Sequence, residues 1–159
     1  MTSWDEVARA EPELAAAVQA RFDAHRHKVL GTLRADGSPR LSGIEATFKD
    51  GELWLGMMPD SRKALDLRRD PRMALHSATV DPELTDGDAR ITGRAVEVTE
   101  PGAMAALVEG DDRHAEPPSG HVFRVDVTEV MLLKIGDPPD HLVIGSWTPD
   151  RGRRVIERR

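Results

Sequence analysis

Between His27 and Met58 the chain runs HKVLGTLR, ADGSP, RLSGIEATF, KDG, ELWLGMM. Three short apolar-rich runs are separated by two turns, and both turns contain Asp-Gly, at Asp36-Gly37 and Asp50-Gly51. That dipeptide supplies the positive backbone angles a tight hairpin needs, so between apolar runs it is a strong signal for antiparallel pairing. The segments His27–Arg34, Arg40–Phe48 and Glu52–Met58 are therefore expected to form a three-stranded meander. After Pro71, RMALHSA reads as a fourth strand, Ala89–Thr99 as a fifth, His121–Ile135 as a long sixth and His141–Trp147 as a seventh. No β-α-β alternation follows that would build a parallel doubly wound sheet.

The helical pieces are few and short. Ser3 and Glu6 make a capping box that starts a turn near Trp4. Pro12 suits the first turn of a second piece, in which Leu14, Val18 and Phe22 share a face to about His25. PGAMAALVEG, with Pro101 in its first turn, is a further short helix. The pattern predicts a mainly β protein: a closed or nearly closed antiparallel barrel with helices at its openings. One domain is expected over residues 1–159, with a helical segment at 1–26, the barrel at 27–147 and a tail at 148–159.

Composition removes several functions. The chain has no cysteine, which excludes disulfides, thiolate metal sites, iron–sulfur clusters and a cysteine nucleophile. A formal charge of −6 argues against nucleic acid, whose binders usually carry a basic excess. The arginine-rich end, RGRRVIERR, reads as a solvated tail. No apolar run approaches a membrane span, and the acidic start MTSWDEVARAEPE has no secretory h-region. A cytoplasmic protein without nucleic-acid or membrane partners is expected.

One stretch stands apart. In MMPDSRKALDLRRDP, a helix starts at Ser61 and stops at Asp70-Pro71, with Arg62 and Lys63 in its first turn. Cations at that end oppose the helix dipole. One reading is a solvated helix start whose charge is offset by Asp60 and by an i,i+4 pair from Arg62 to Asp66. The other is a phosphate site made of outward N–H groups, the Ser61 hydroxyl, the Arg62 fork and the Lys63 ammonium. Gly43 and Gly56 lie on adjacent expected strands near the same end; either alone fits a bulge or a tight barrel bend, and the two together beside a phosphate site suggest close approach of a flat ligand. His25 and His27 lack a third ligand nearby in sequence. His76 and the acids Glu109, Asp111 and Asp112 read as solvated or hydrogen-bonded side chains. No metal site is expected.

Residues Leu30 to Ser77 carry a D-G-x-P turn, a second strand, a hairpin, an S-R-K helix start, a D-P stop and an apolar strand, in that order. This set resembles the pyridoxamine 5'-phosphate oxidase-like FMN-binding split-barrel family. ARITGRAVEV and FRVDVTEVMLLKIGDPPDHLVI are similar to the strands that follow there. The resemblance implies an antiparallel split β-barrel of about six to seven strands, Greek-key type, with short flanking helices. It also implies a homodimer binding FMN, or alternatively the deazaflavin coenzyme F-420, between subunits, and a small-molecule redox substrate. The phosphate contacts map onto Ser61, Arg62 and Lys63, with Arg40 as the arginine of the second strand. Segments along the flavin ring map onto Leu41, Ser42, Gly43 and on to Glu45, and onto Gly56 and Met57. Trp147 is spaced from Arg153 and Arg154 somewhat as are the residues that reach the partner's flavin.

The chain departs from the family at two places. Asp88 or Ala89 stands where flavin oxidases often carry glutamine, and GRRVIERR replaces the R-L-x-P end of the true oxidases. Pyridoxamine phosphate is therefore not the expected substrate. The function expected is a flavin-dependent oxidoreductase with no named catalytic residue. A coenzyme F-420-dependent reductase and a non-catalytic flavin-binding or sensor protein are the alternatives.

Overall fold

The computed structural model describes residues 1–113 and 118–159. Two helices open the chain, α1 (Trp4–Ala10) and α2 (Pro12–Asp23). Strands β1 (Lys28–Leu33), β2 (Pro39–Ile44), β3 (Ala46–Lys49) and β4 (Glu52–Met57) lead into α3 (Arg62–Arg69). Then come β5 (Arg72–His76), β6 (Asp88–Val98), α4 (Ala103–Val108), β7 (His121–Ile135), β8 (Leu142–Thr148) and β9 (Gly152–Arg158). Every pairing among them is antiparallel, in the order β2-β1-β5-β6-β7-β4-β3, with β8 on β7 and β9 on β8. The expected split barrel is what the chain forms.

The three-stranded meander is not. The run Arg40–Phe48 divides at Glu45: β2 pairs only with β1, and β3 only with β4. Inward alternation carries on through Ile44 and Ala46, both buried, so the sequence reads as one strand. Alternation records which face a residue takes and is silent about which strand lies beside it. Because β2 and β3 follow each other in sequence yet end the strand order at opposite sides, the barrel opens between them.

Strand β7 needs its 15 residues because it serves two partners along one edge. Its start, His121–Arg124, pairs with β4, and its end, Val130–Ile135, pairs with β8, while β6 runs along the other edge. The expected tail also becomes structure, since β9 pairs with β8 from Gly152 to Arg158. Its arginines hide the alternation, and a charged outer strand is a common way to blunt a sheet edge.

The helices close one side of the core. Leu14, Val18 and Phe22 are buried as the spacing predicts, and α2 lies on β6 and β7. The capping box forms, with Ser3 Oγ accepting from Glu6 N–H and Glu6 Oε2 accepting from Ser3 N–H. Trp4 stacks obliquely on Phe48, ring centroids 4.7 Å apart, and donates to Gln19 Oε1 at 2.8 Å.

The Asp50-Gly51 turn is a two-residue hairpin in which both residues have positive φ, 52° and 76°. A side chain on Gly51 would also come 3.0 Å from Asp5 Cβ, where the Asp5 N–H donates to the Gly51 carbonyl. Gly51→Ala is expected to lower unfolding free energy by about 1–2 kcal/mol, for left-handed backbone carrying a Cβ. Urea denaturation measures this, and an unchanged midpoint would contradict it.

Candidate functional site

Strand β4 ends at Met57 and the chain turns through Pro59 and Asp60 into α3. Asp60 adopts φ 54°, uncommon for a residue with a side chain. Ser61 is the N-cap, extended at φ −60° and ψ 144°, but its side chain makes no capping bond. Its Oγ is buried and has no partner among the described residues. A buried hydroxyl without a partner is a cost the fold ordinarily avoids. Arg62 is exposed and has no hydrogen bond or ion pair among the described residues. Lys63 reaches across to β2 and donates to the Gly43 carbonyl at 2.8 Å. Burial holds its ammonium below the ordinary lysine value.

The offsetting pair from Arg62 to Asp66 does not form. Asp66, 3% exposed, turns inward instead. Its Oδ2 accepts from Thr32 Oγ1 at 2.8 Å and from Arg40 Nε at 2.7 Å, and its Oδ1 accepts from Arg69 at 3.1 Å. Burial alone would raise this carboxyl, but the bonds from Arg40, Thr32 and Arg69 outweigh it and hold the group below the usual carboxylate range. Arg69 also donates to the Leu33 carbonyl at 2.7 Å, and Arg68 forks onto Glu97 at 2.7 and 2.8 Å. So the cations at the end of α3 are paired within the chain, and those at its start meet no acid among the described residues.

Beside this helix start, in the gap between β2 and β3, lies a cavity of about 370 Å³. Gly43, Ile44 and Glu45 form one wall, Gly56 and Met57 another, and Ser61 and Lys63 a third. Met104 and Leu107 of α4 cover it, and Arg26, His27 and Arg113 stand at its rim. Glu45 joins that rim across the break, accepting from Arg26 at 2.6 Å and from Arg113 at 3.0 Å. Burial would raise its carboxyl, but Arg113 and Arg26 overcome that and keep it low.

Of the residues singled out from the sequence, Gly43, Gly56, Met57, Ser61 and Lys63 come together around this cavity. Arg40, Leu41, Ser42, Arg62 and Trp147 are not in its walls. Arg40 is held by Asp66, with no partner for its terminal nitrogens among the described residues. Leu41 lies on the outer face of β2, 76% exposed, and Ser42 is half-buried on the inner-face phase with Arg40. Trp147 is buried in the core of its own chain, opposite Val130 and Arg153. The two glycines differ. Space beside Gly43 is open, whereas a side chain on Gly56 would lie 3.2 Å from Leu107, so Gly56 makes room for α4.

Asp66, Arg113 and α4 were not foreseen as parts of the site, and Glu45 was foreseen only as the end of the ring-lining segment, without its pairing to Arg113. Asp66 carried a usable signal, an acid on α3 one turn from a cation, but its inward direction depends on packing. Glu45 and Arg113 are 68 positions apart and carried none. Among the described residues no group of three or more histidines and carboxylates is placed to hold a metal.

Comparisons with known proteins bear on the fold and the family. Comparison with curated proteins gives no match. Among solved structures, a conserved hypothetical protein of Mycobacterium tuberculosis is similar at 28% identity and TM-score 0.56, over 74% of this chain and 79% of that one. An F420 reductase shares the fold at 19% identity and TM-score 0.53, over 64% and 86%. So does a protein of Clostridium acetobutylicum related to general stress protein 26 of B. subtilis, of the pyridoxinephosphate oxidase family, at 14% identity and TM-score 0.65, over 88% and 96%. No helix of the structure is long and apolar enough to cross a membrane. A family model described as pyridoxamine 5'-phosphate oxidase matches residues 14–134, most of the chain and nearly all of the barrel described above, and the chain belongs to that family.

Proposed function

We propose that the chain is an FMN-dependent oxidoreductase that binds its cofactor between two copies of itself. One observation carries the reading: the positive charge at the start of α3 is unanswered among the described residues. Among the described residues, Ser61 Oγ is buried without a partner, Arg62 is unpaired, and Lys63 is desolvated with only a carbonyl to meet it. The carboxylate best placed to neutralise them, Asp66, is engaged elsewhere. A phosphate would satisfy all three at a helix N-terminus.

Ser61, Arg62 and Lys63 would hold the phosphate, with Arg40 set beside them by Asp66. Leu41, Ser42, Gly43, Gly56 and Met57 would lie along the ring. Bound flavin supplies the capacity to accept and return hydride. The chain's residues bind and orient it, and α4 limits access of water. No acid–base residue is assigned, and Trp147, buried in its own chain, is given no role. FMN is preferred to F-420 because the cations a longer acidic tail would require, Arg68 and Arg69, are already paired with Glu97 and Asp66. The exposed apolar side chains Leu41 and Val29, on the outer face of β2 and β1, support the homodimer.

Native mass spectrometry of the purified protein tests the proposal. A yellow dimer carrying one FMN per chain, reducible by a nicotinamide cofactor, is expected. A yellow protein that never turns over would be a binder or sensor. A colourless protein that takes up neither FMN nor F-420 in a titration would overturn the reading.

A further inference from the structure

The turn that starts α3 is held from far away in sequence. His121, the first residue of β7 and the register partner of Met57, has a side chain only 14% exposed. Its Nε2 lies 3.1 Å from the backbone nitrogen of Asp60. A backbone N–H can only donate, so Nε2 is the acceptor and the ring proton sits on Nδ1. That nitrogen faces Glu97 Oε1 at 2.9 Å. Arg68 donates to the same carboxylate from the other side and comes 3.1 Å from Nδ1. Strand β6, helix α3 and strand β7 therefore meet on one imidazole, and that imidazole bonds the residue with positive φ just before Ser61.

We propose that His121 is a positioning residue for the phosphate-binding turn: by accepting the Asp60 N–H it keeps Asp60 left-handed and Ser61 at the helix start, and protonating the imidazole releases the turn and weakens binding of a phosphate-bearing cofactor. The proposal rests on the reading of Ser61 to Lys63 as a phosphate site. The chemistry is one of donors and acceptors. On the imidazolium Nε2 also carries a proton, so two donors face each other across the contact with Asp60. Nδ1 keeps its bond to Glu97, whose carboxyl Arg68 and His121 hold below the ordinary range, so it remains an anion where histidines titrate. The charged groups against the ring among the described residues are Glu97 of β6 and Arg68 of α3, and the Asp60 carboxylate acts on Arg68. Protonation leaves the anchor to Glu97 in place and breaks the bond to the turn.

Two measurements on the full chain test this. The first is NMR without added cofactor, following the Asp60 amide and the His121 ring as pH is lowered from about 8 to about 5. The Asp60 amide is expected to shift in step with the ring, and to stop doing so in His121→Gln, whose amide oxygen can accept the bond at every pH. The second is FMN and riboflavin affinity by flavin fluorescence. Wild type is expected to lose about tenfold in FMN affinity, relative to His121→Gln, on going from the high to the low end of that range, the worth of one hydrogen bond plus an unpaired donor. The comparison removes the titration of the FMN phosphate itself, which falls near ~6. Riboflavin should show no such difference. An Asp60 amide indifferent to the ring, or equal pH profiles for the two proteins, would overturn the proposal. Equal affinity of wild type for FMN and riboflavin at high pH would instead refute the phosphate reading itself, and the proposal with it.

Discussion

Arg62→Ala combined with Lys63→Ala is expected to weaken FMN binding by about a hundredfold while leaving riboflavin within about threefold, the difference being charge-assisted bonds to phosphate. Two such bonds would give more if both were buried. Arg62 is exposed, so solvent screening reduces its share, and roughly 3 kcal/mol for the pair is the reasonable sum. Lys63 should carry the larger part. Its ammonium is already stripped of some water, so a phosphate restores what burial removed. Raising salt from about 50 to 500 mM should erode wild-type FMN affinity more than that of the double variant, because only wild type has the Arg62 and Lys63 charges for salt to screen. Titration calorimetry with both ligands decides the matter. Equal loss for FMN and riboflavin would mean that the pair does not hold the phosphate.

The second large effect lies beneath the first. Asp66→Ala is expected to destabilise the fold by about 3–5 kcal/mol, the range for removing one partner of a buried ion pair. The change strands Arg40, whose side chain is 24% exposed, and leaves the buried Thr32 hydroxyl without its acceptor. Helix α3 would lose its polar anchor to β1 and β2, and the FMN site would loosen with it. Asp66→Asn, which keeps an acceptor oxygen but not the charge, should lose less. The pH dependence follows by linkage. The folded carboxyl titrates lower than the unfolded one, near ~3.9. Its contribution is therefore fully present above that value and is lost as pH falls through the lower folded value. Subtracting the stability curve of Asp66→Ala from that of wild type should leave a difference that is flat above about pH 5 and shrinks below pH 4. A difference of constant size down to pH 2 would show that Asp66 does not act as a paired carboxylate.

Most of the secondary structure was legible because its causes are local. Asp50-Gly51 makes its turn whatever surrounds it, since both residues must accept positive φ. Ser3 and Glu6 cap each other within one turn of helix. Leu14, Val18 and Phe22 mark a buried face by spacing alone. The start of α3 was legible for the same reason. Cations at the positive end of a helix conflict with elementary electrostatics in any fold, so Arg62 and Lys63 stood out before any partner was known.

What the chain could not announce were pairings between distant segments. Alternation through Ile44 and Ala46 gave no warning that β2 and β3 would part at Glu45, because a change of strand partner leaves the inward face unchanged. Trp147 had a suggestive spacing, yet β8 turns it into its own core. Asp66 looked like a helical partner for Arg62 and instead faces Thr32 and Arg40, since the side of α3 that packs on β1 decides where it points. His121 and Asp60 meet across 61 positions, a contact that no local pattern encodes. By itself the sequence determined the turns, the caps, the buried faces and a pair of cations at the wrong end of one helix, all set by forces acting within a few residues. Only the tertiary structure decided which acids were already engaged and which were left to answer that charge, because burial and distance belong to the folded chain.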